Sequence, residues 1–373
     1  MRRVHRQADR ESTSWPASGV AASLVALAVA ACLGAGPGDA AAAQTAHAAE
    51  PTPAEIAAAP VALPGGDGGI GFDDLLFAPA LGRVLVPAGR TGNLDLIDPA
   101  TRAVVAIGGF SAQEGFVKGH GEGTTSADVG GGWIFAIDRS ALKLTVLDPA
   151  TKAVLAGAPL ASGPDYVRWV EPTRQIWVTQ PDQDRIEIFA LPASGTPVPA
   201  HVGFLSIEGG PESLVIDAAR GRAYTHLWSG TTLAIDVASR EVIARWPNGC
   251  RGSRGIALDA AHDLLFAGCA EGKAVVLDLA GDGAIRGTLS AGDGVDIIAF
   301  NSELRHLYLP GGKSATMAIL GVSAAGKLSL LATVPTAAGA HCVAADDRRQ
   351  AWVCDPAAGR LLVIEDRLPA IDR

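Results

Sequence analysis

LDLIDPATRAVV (94–105) returns fifty residues later as LTVLDPATKAVL (144–155), then as LAIDVASREVI (233–243) and VVLDLAGDGAI (275–285). IEIFALPA (186–193), MAILGVSAAGKL (317–328) and LLVIEDR (361–367) are weaker copies. The position of the first aspartate is occupied in turn by Asp98, Asp148, Ala190, Asp236, Asp278, Gly321 and Glu365, at spacings of 50, 42, 46, 42, 43 and 44. Self-similarity at such a period marks an architecture built from one repeated supersecondary unit.

Before each anchor come two further strand-like runs. SLVIDAARGRAYTHL (213–227), GIALDAAHDLLFAGC (255–269) and IIAFNSELRHLYLPG (297–311) each read as apolar run, polar turn, apolar run, which is a β-hairpin. A four-stranded unit cannot bury both of its faces alone, and packing units around an axis covers them. No connecting segment shows a helical apolar period. The expected fold is all-β: a seven-bladed β-propeller of four-stranded antiparallel blades. The seventh unit stops near Glu365, and EDRLPAIDR (365–373) is poor strand material. PVALPGG (60–66) matches fourth-strand endings such as ATVPTAAG (332–339), so an N-terminal strand over Pro60–Gly65 is expected to complete the last blade. Composition agrees. Among 373 residues, 45 Gly and 23 Pro disfavour long helices, while 48% hydrophobic residues argue against disorder and coiled coil.

The units RVLVPAGRTGNLDLIDPATRAVV (83–105) and DGVDIIAFN (293–301) resemble the YVTN-type repeat family of exported β-propellers, particularly YncE-like proteins. The resemblance spans roughly residues 60–366. It implies the propeller fold; its bearing on function is weak, because propellers host binding proteins, lactonases, lyases and electron-transfer enzymes alike. Some relatives are linked to DNA.

The first fifty residues read as a leader. Arg2, Arg3, Arg6 and Arg10 precede the apolar run GVAASLVALAVAACL (19–33), and Ala46-His47-Ala48 offers a small-residue cleavage site. A second reading is a lipoprotein signal, with Val29-Ala30-Ala31-Cys32 as a lipobox and a lipid anchor at Cys32. Either reading gives an exported chain, periplasmic or secreted in the first case and lipid-anchored in the second. The expected organisation is an export signal over 1–48, a linker over 49–59, the propeller over 60–366 and a tail over 367–373. The whole chain carries a formal charge of −9, and loss of the leader leaves 26 basic against 36 acidic side chains, or −10. That acidity counts against a nucleic-acid partner.

In a propeller the first strand of each blade lines the central channel. Five residues before the end of each first strand lie Asp73, Gly123, Tyr166, Glu212, Arg254, Asp296 and His341, which are expected to converge at one mouth. Asp73, Tyr166, Glu212, Arg254, Asp296 and His341 are therefore the candidate ligand-binding residues. Two chemistries fit them. Asp73, Glu212 and Asp296 suit a hard cation, Ca2+ or Mg2+; His341 or Glu212 would then act as general base in a lactonase- or lyase-type reaction. Alternatively, Arg254 with Tyr166 and His341 suits an anionic ligand. The plain alternative is a mouth that is simply wet and polar.

VKGHGEGTTSADVGGG (117–132) is an insertion in the second unit, either a flap bringing His120 and Glu122 near the ring or an ordinary flexible loop. His201, His262 and His306 are expected at the solvated surface, and His226 in a structural role. Without the leader, four cysteines remain, and their places in the hairpins predict disulfides Cys250–Cys269 and Cys342–Cys354 at the mouth end. Most tryptophans should pack between blades, although a mouth-facing one could stack on a sugar or other ring. The leading functional expectation is an exported propeller that binds a small polar ligand, an ion or a protein partner at the mouth. A metal-assisted enzyme and a protein-interaction scaffold are the alternatives.

Overall fold

The computed structural model describes residues 56–116 and 119–372. The leader and its signal readings lie outside them. The described chain forms seven four-stranded antiparallel sheets arranged as a propeller. In chain order their first strands are Leu76–Ala78, Thr124–Gly130, Val167–Val170, Val215–Asp217, Ser253–Asp259, Ala299–Asn301 and Val343–Ala345. Each of the first six sheets runs through four consecutive strands. In the seventh, Ala58–Ala62 pairs antiparallel with Arg360–Glu365, from Ala58 opposite Ile364 to Ala62 opposite Arg360. Among the described residues no helix is long and apolar enough to cross a membrane.

The repeated aspartate earns its place at a turn. Asp98 ends the third strand, and its Oδ1 accepts from the amides of Ala100 at 2.9 Å and Thr101 at 3.0 Å. Arg102 follows with φ 61°, and the chain reverses into Val104–Ile107. Asp148 repeats this with Ala150, Thr151 and Lys152, and Asp236 with Ala238, Ser239 and Arg240. A short acceptor side chain satisfying its own turn amides is the reason this residue type recurs there.

Burial follows position within the sheet. Second and third strands such as Gln175–Gln180 and Leu94–Ile97 are buried throughout, because neighbouring sheets cover both faces. Outer strands alternate, as in Glu241–Pro247, since one face meets solvent. Where sheets five and six approach, a Cβ on residue 255 would collide with the Asp296 carbonyl, so Gly255 allows the close packing.

His306 corrects one expectation. It is fully buried rather than solvated, with Nδ1 2.7 Å from Asp366 and Nε2 3.0 Å from the Pro369 carbonyl. The Tyr308 hydroxyl also donates to Asp366, and the Ile371 amide to the Leu304 carbonyl. The last residues thus cover sheet six, a contact that no strand pattern announces. His201 is half exposed, and His262 sits between Asp259 and Arg305. His226 is buried against Thr232, and burial pushes its imidazole down to about 4, consistent with a neutral structural ring.

Candidate functional site

Each first strand begins at one end of the channel and each second strand returns to that end. The mouth is therefore built from two sets of residues: those entering the first strands and those in the turns after the second strands. Asp73, Tyr166, Glu212, Arg254, Asp296 and His341 belong to the first set, Arg139 and Trp228 to the second.

Asp73 is the centre of one half. Its Oδ2 lies 2.8 Å from His120 Nδ1 and 3.1 Å from an Arg139 amine. The same Arg139 nitrogen donates to Asp165, while its Nε reaches the Pro164 carbonyl at 2.7 Å. Burial opposes ionisation of Asp73, but His120, Arg139 and His341 outweigh it and hold the carboxyl below its usual range. Asp73 in turn lifts His120 to about 9. Asp165 goes the other way: burial, reinforced by the Asp73 charge, keeps its carboxyl well above the usual range despite Arg139. Two acids sharing one guanidinium are thus pushed in opposite directions.

Glu212 is the centre of the other half. One oxygen accepts from Arg254 at 2.6 Å, and the other from the Trp228 indole. Arg254 also stands over the Trp228 ring, 5.6 Å from its centre. Burial raises Glu212 to about 7 against the pull of Arg254, with Asp296 and Asp73 adding to the rise. Asp296 is half-buried and acts on Glu212, His120 and Arg254 through its charge. His341 stands beside the Asp73 half: Nε2 lies 3.1 Å from the Phe72 carbonyl, Nδ1 2.6 Å from the Gly339 carbonyl, and its ring 5.8 Å from that of His120. Tyr166 is buried below, where burial and then Asp73, Asp296 and Asp165 keep its phenol protonated. Gly123, the second-sheet member, brings no side chain: its amide donates to the Ser140 hydroxyl and its carbonyl accepts from the Arg139 amide.

His120 reaches Asp73 from the insertion, whereas Glu122 turns to Gln113 at 2.8 Å. Val117 and Lys118 of that insertion lie outside the described residues. Arg139, Asp165 and the Trp228 contact were missed by counting along first strands alone. A count of the residue following each second strand would have found Arg139 and Trp228.

The rim is cross-linked. Cys250 and Cys269 form a disulfide with Cα atoms 5.3 Å apart in sheet five, and Cys342 and Cys354 one at 5.6 Å in sheet seven. Each constrains the unfolded chain, typically by about 2–4 kcal/mol. Among the described residues, the group of three or more metal-ligating side chains with donor atoms within 4.8 Å of one another is His341 with Cys342 and Cys354, whose sulfurs are joined.

Depth sorts the mouth by charge. The Asp73, Asp165 and Glu212 side chains are 3, 12 and 9% exposed, against 37% for His120, 37% for Arg254 and 43% for Trp228. His120, Arg254 and the Trp228 indole face outward, and the Asp73, Asp165 and Glu212 carboxyls lie beneath as acceptors, while Asp296 is half-buried.

No family model matches the chain, and no curated protein matches it. Solved structures do. A chain from the crystal structure of a mitotic checkpoint complex superposes with a TM-score of 0.68 at 14% identity, covering 92% of this chain and 99% of its own. Kuenenia stuttgartiensis hydrazine synthase gives 0.64 at 13%, covering 80 and 96%. The Myceliophteria thermophila Cps50 (Swd1) β-propeller domain gives 0.64 at 12%, covering 80 and 98%. At these identities the likeness defines a class, the seven-bladed propeller, a fold used for binding and scaffolding, and it carries no particular ligand or reaction.

Proposed function

We propose that this is an exported, YncE-like propeller whose mouth binds a small organic anion carrying a ring. The observation behind this reading is the sorting by depth. Arg254 and His120 offer donors to solvent, Trp228 offers a flat apolar face, and the Asp73 and Glu212 carboxyls beneath are already engaged. A cation recruited by Asp73, Glu212 and Asp296 would have to displace Arg139 and His120 from the first and Arg254 from the second. Export is supported by the leader-like N-terminus and by two disulfides, which persist in oxidising compartments.

Calorimetric titration of the mature protein with benzoate, glucuronate and phosphate tests the reading. Arg254→Ala is expected to weaken the preferred anion roughly 10- to 100-fold, the range for a hydrogen bond to a charged group. Affinity should fall as pH rises through 7, where Glu212 becomes charged, and again near 9, where His120 loses its proton. Binding indifferent to both the substitution and pH would exclude the reading. Tight Ca2+ binding lost in Asp296→Ala would favour the metal site instead.

A second reading rests on Glu212 alone. A carboxyl near 7 suits general acid–base work, so a lactonase- or lyase-type activity would vanish in Glu212→Gln while ligand binding remained. The checkpoint-complex likeness leaves room for a protein partner at the same mouth.

A further inference from the structure

Next to the mouth, along the first strands, lies a cavity of about 370 Å³ that opens to solvent. Its chemistry differs from that of the mouth. Leu76, Phe77, Leu214, Ile256 and Phe300 form apolar walls. Arg168 and Asp74 also border it, but neither is free. The guanidinium donates to both Asp74 oxygens at 2.6 and 3.0 Å, to the Leu214 carbonyl at 3.1 Å and to the Val167 carbonyl at 2.8 Å. Asp74 further accepts from Ser126 at 2.6 Å. The pair is closed on itself and offers a ligand no net charge.

Tyr166 is different. It borders the cavity with Arg168 Cζ 5.2 Å from its ring centre, it is only 4% exposed, and its hydroxyl has no hydrogen-bond partner among the described residues. That hydroxyl is left to solvent, and a ligand oxygen in the cavity would take the place of the water. At the open end stand Glu303 and Asp347, both exposed, which disfavour an entering anion. The volume falls in the range of small-molecule sites, which are mostly apolar with few polar groups.

We propose that this cavity is a second ligand site, separate from the mouth, that takes a neutral aromatic or alicyclic molecule whose single oxygen function pairs with the Tyr166 hydroxyl. The walls supply affinity through removal of apolar surface from water, and the hydroxyl sets orientation. Charged molecules are disfavoured: the walls cannot solvate them, Arg168 and Asp74 are paired with each other, and the Asp346 carboxyl at the border is already held by the Trp352 indole and backbone amides.

Fluorescence titration with 2-naphthol, naphthalene and 2-naphthoate separates these contributions. The wild-type protein should bind one 2-naphthol saturably and 2-naphthoate at least about tenfold more weakly. Tyr166→Phe should weaken 2-naphthol about 5- to 10-fold, the worth of one hydrogen bond, and leave naphthalene unchanged. Ala299→Trp and, separately, Ala345→Trp should fill the cavity from sheets six and seven and abolish binding of both neutral probes. Circular dichroism establishes that each variant is folded, and either one suffices. The proposal is overturned if 2-naphthol fails to saturate, if folded tryptophan variants bind it as the wild type does, or if Tyr166→Phe weakens naphthalene equally. Preference for 2-naphthoate would overturn the assigned ligand class.

Discussion

Replacing Asp95 by valine is expected to stabilise the protein by about 4 kcal/mol more at pH 8 than at pH 4, from a shift of about three pH units at 1.36 kcal/mol each. Asp95 lies in the third strand of the first sheet and is fully buried, with both carboxylate oxygens unpartnered among the described residues. Its register opposite Val86 places it on the face of Val84, Val86 and Ile97, which pack in one cluster with Val61, Leu361 and Val363 of the seventh sheet. The corresponding positions in sheets four and five are Leu233 and Val275, both fully buried, so a branched aliphatic side chain suits the site. Burial alone pushes the Asp95 carboxyl up to about 7. The sign follows directly. Between pH 4 and 7 the folded chain holds a proton that the unfolded chain has released, so wild-type stability falls as pH rises and levels off above 7. Chemical unfolding of both proteins across that window should show the valine variant losing this slope. An equal difference at pH 4 and pH 8, or destabilisation at pH 8, would refute the assignment.

The second large effect is expected at Asp74 and Arg168. Asp74 comes from the first sheet and Arg168 from the third; Ser126 of the second sheet donates to Asp74, and Arg168 reaches the Leu214 carbonyl ahead of the fourth. One buried ion pair thus ties four successive blades along the channel wall. Asp74→Ala strands a guanidinium in that wall and should cost about 3–5 kcal/mol. Asp128 offers only partial relief, because burial lifts its own carboxyl to about 6. The double variant Asp74→Leu, Arg168→Met removes both charges and should be clearly more stable than Asp74→Ala. Urea unfolding of the set gives the coupling. Losses that simply add would mean the pair contributes nothing as a unit.

The fold was legible because its signal is local and repeated. Asp98, Asp148 and Asp236 each satisfy their own turn amides, so the same short phrase recurs wherever the same turn is made. Ala190 and Gly321 lack that side chain, which is why those copies read faintly. The mouth was half legible. First-strand residues could be aligned by counting, whereas Arg139 and Trp228 directly follow second strands, a position that the count along first strands does not visit. Asp165 sits one residue from a counted position, and the company it keeps pushes its carboxyl the opposite way from that of Asp73. The burial of His306 depends on residues some sixty positions later in the chain, at Asp366 and Pro369.

Tyr166 is a party wall. Its ring closes the apolar room on one side and feels the carboxyls of the charged room on the other. The two proposed occupants would share that partition, so any coupling between them would run through this ring. By thermodynamic reciprocity, whatever one occupant does to the hold on the second, the second must do to the first.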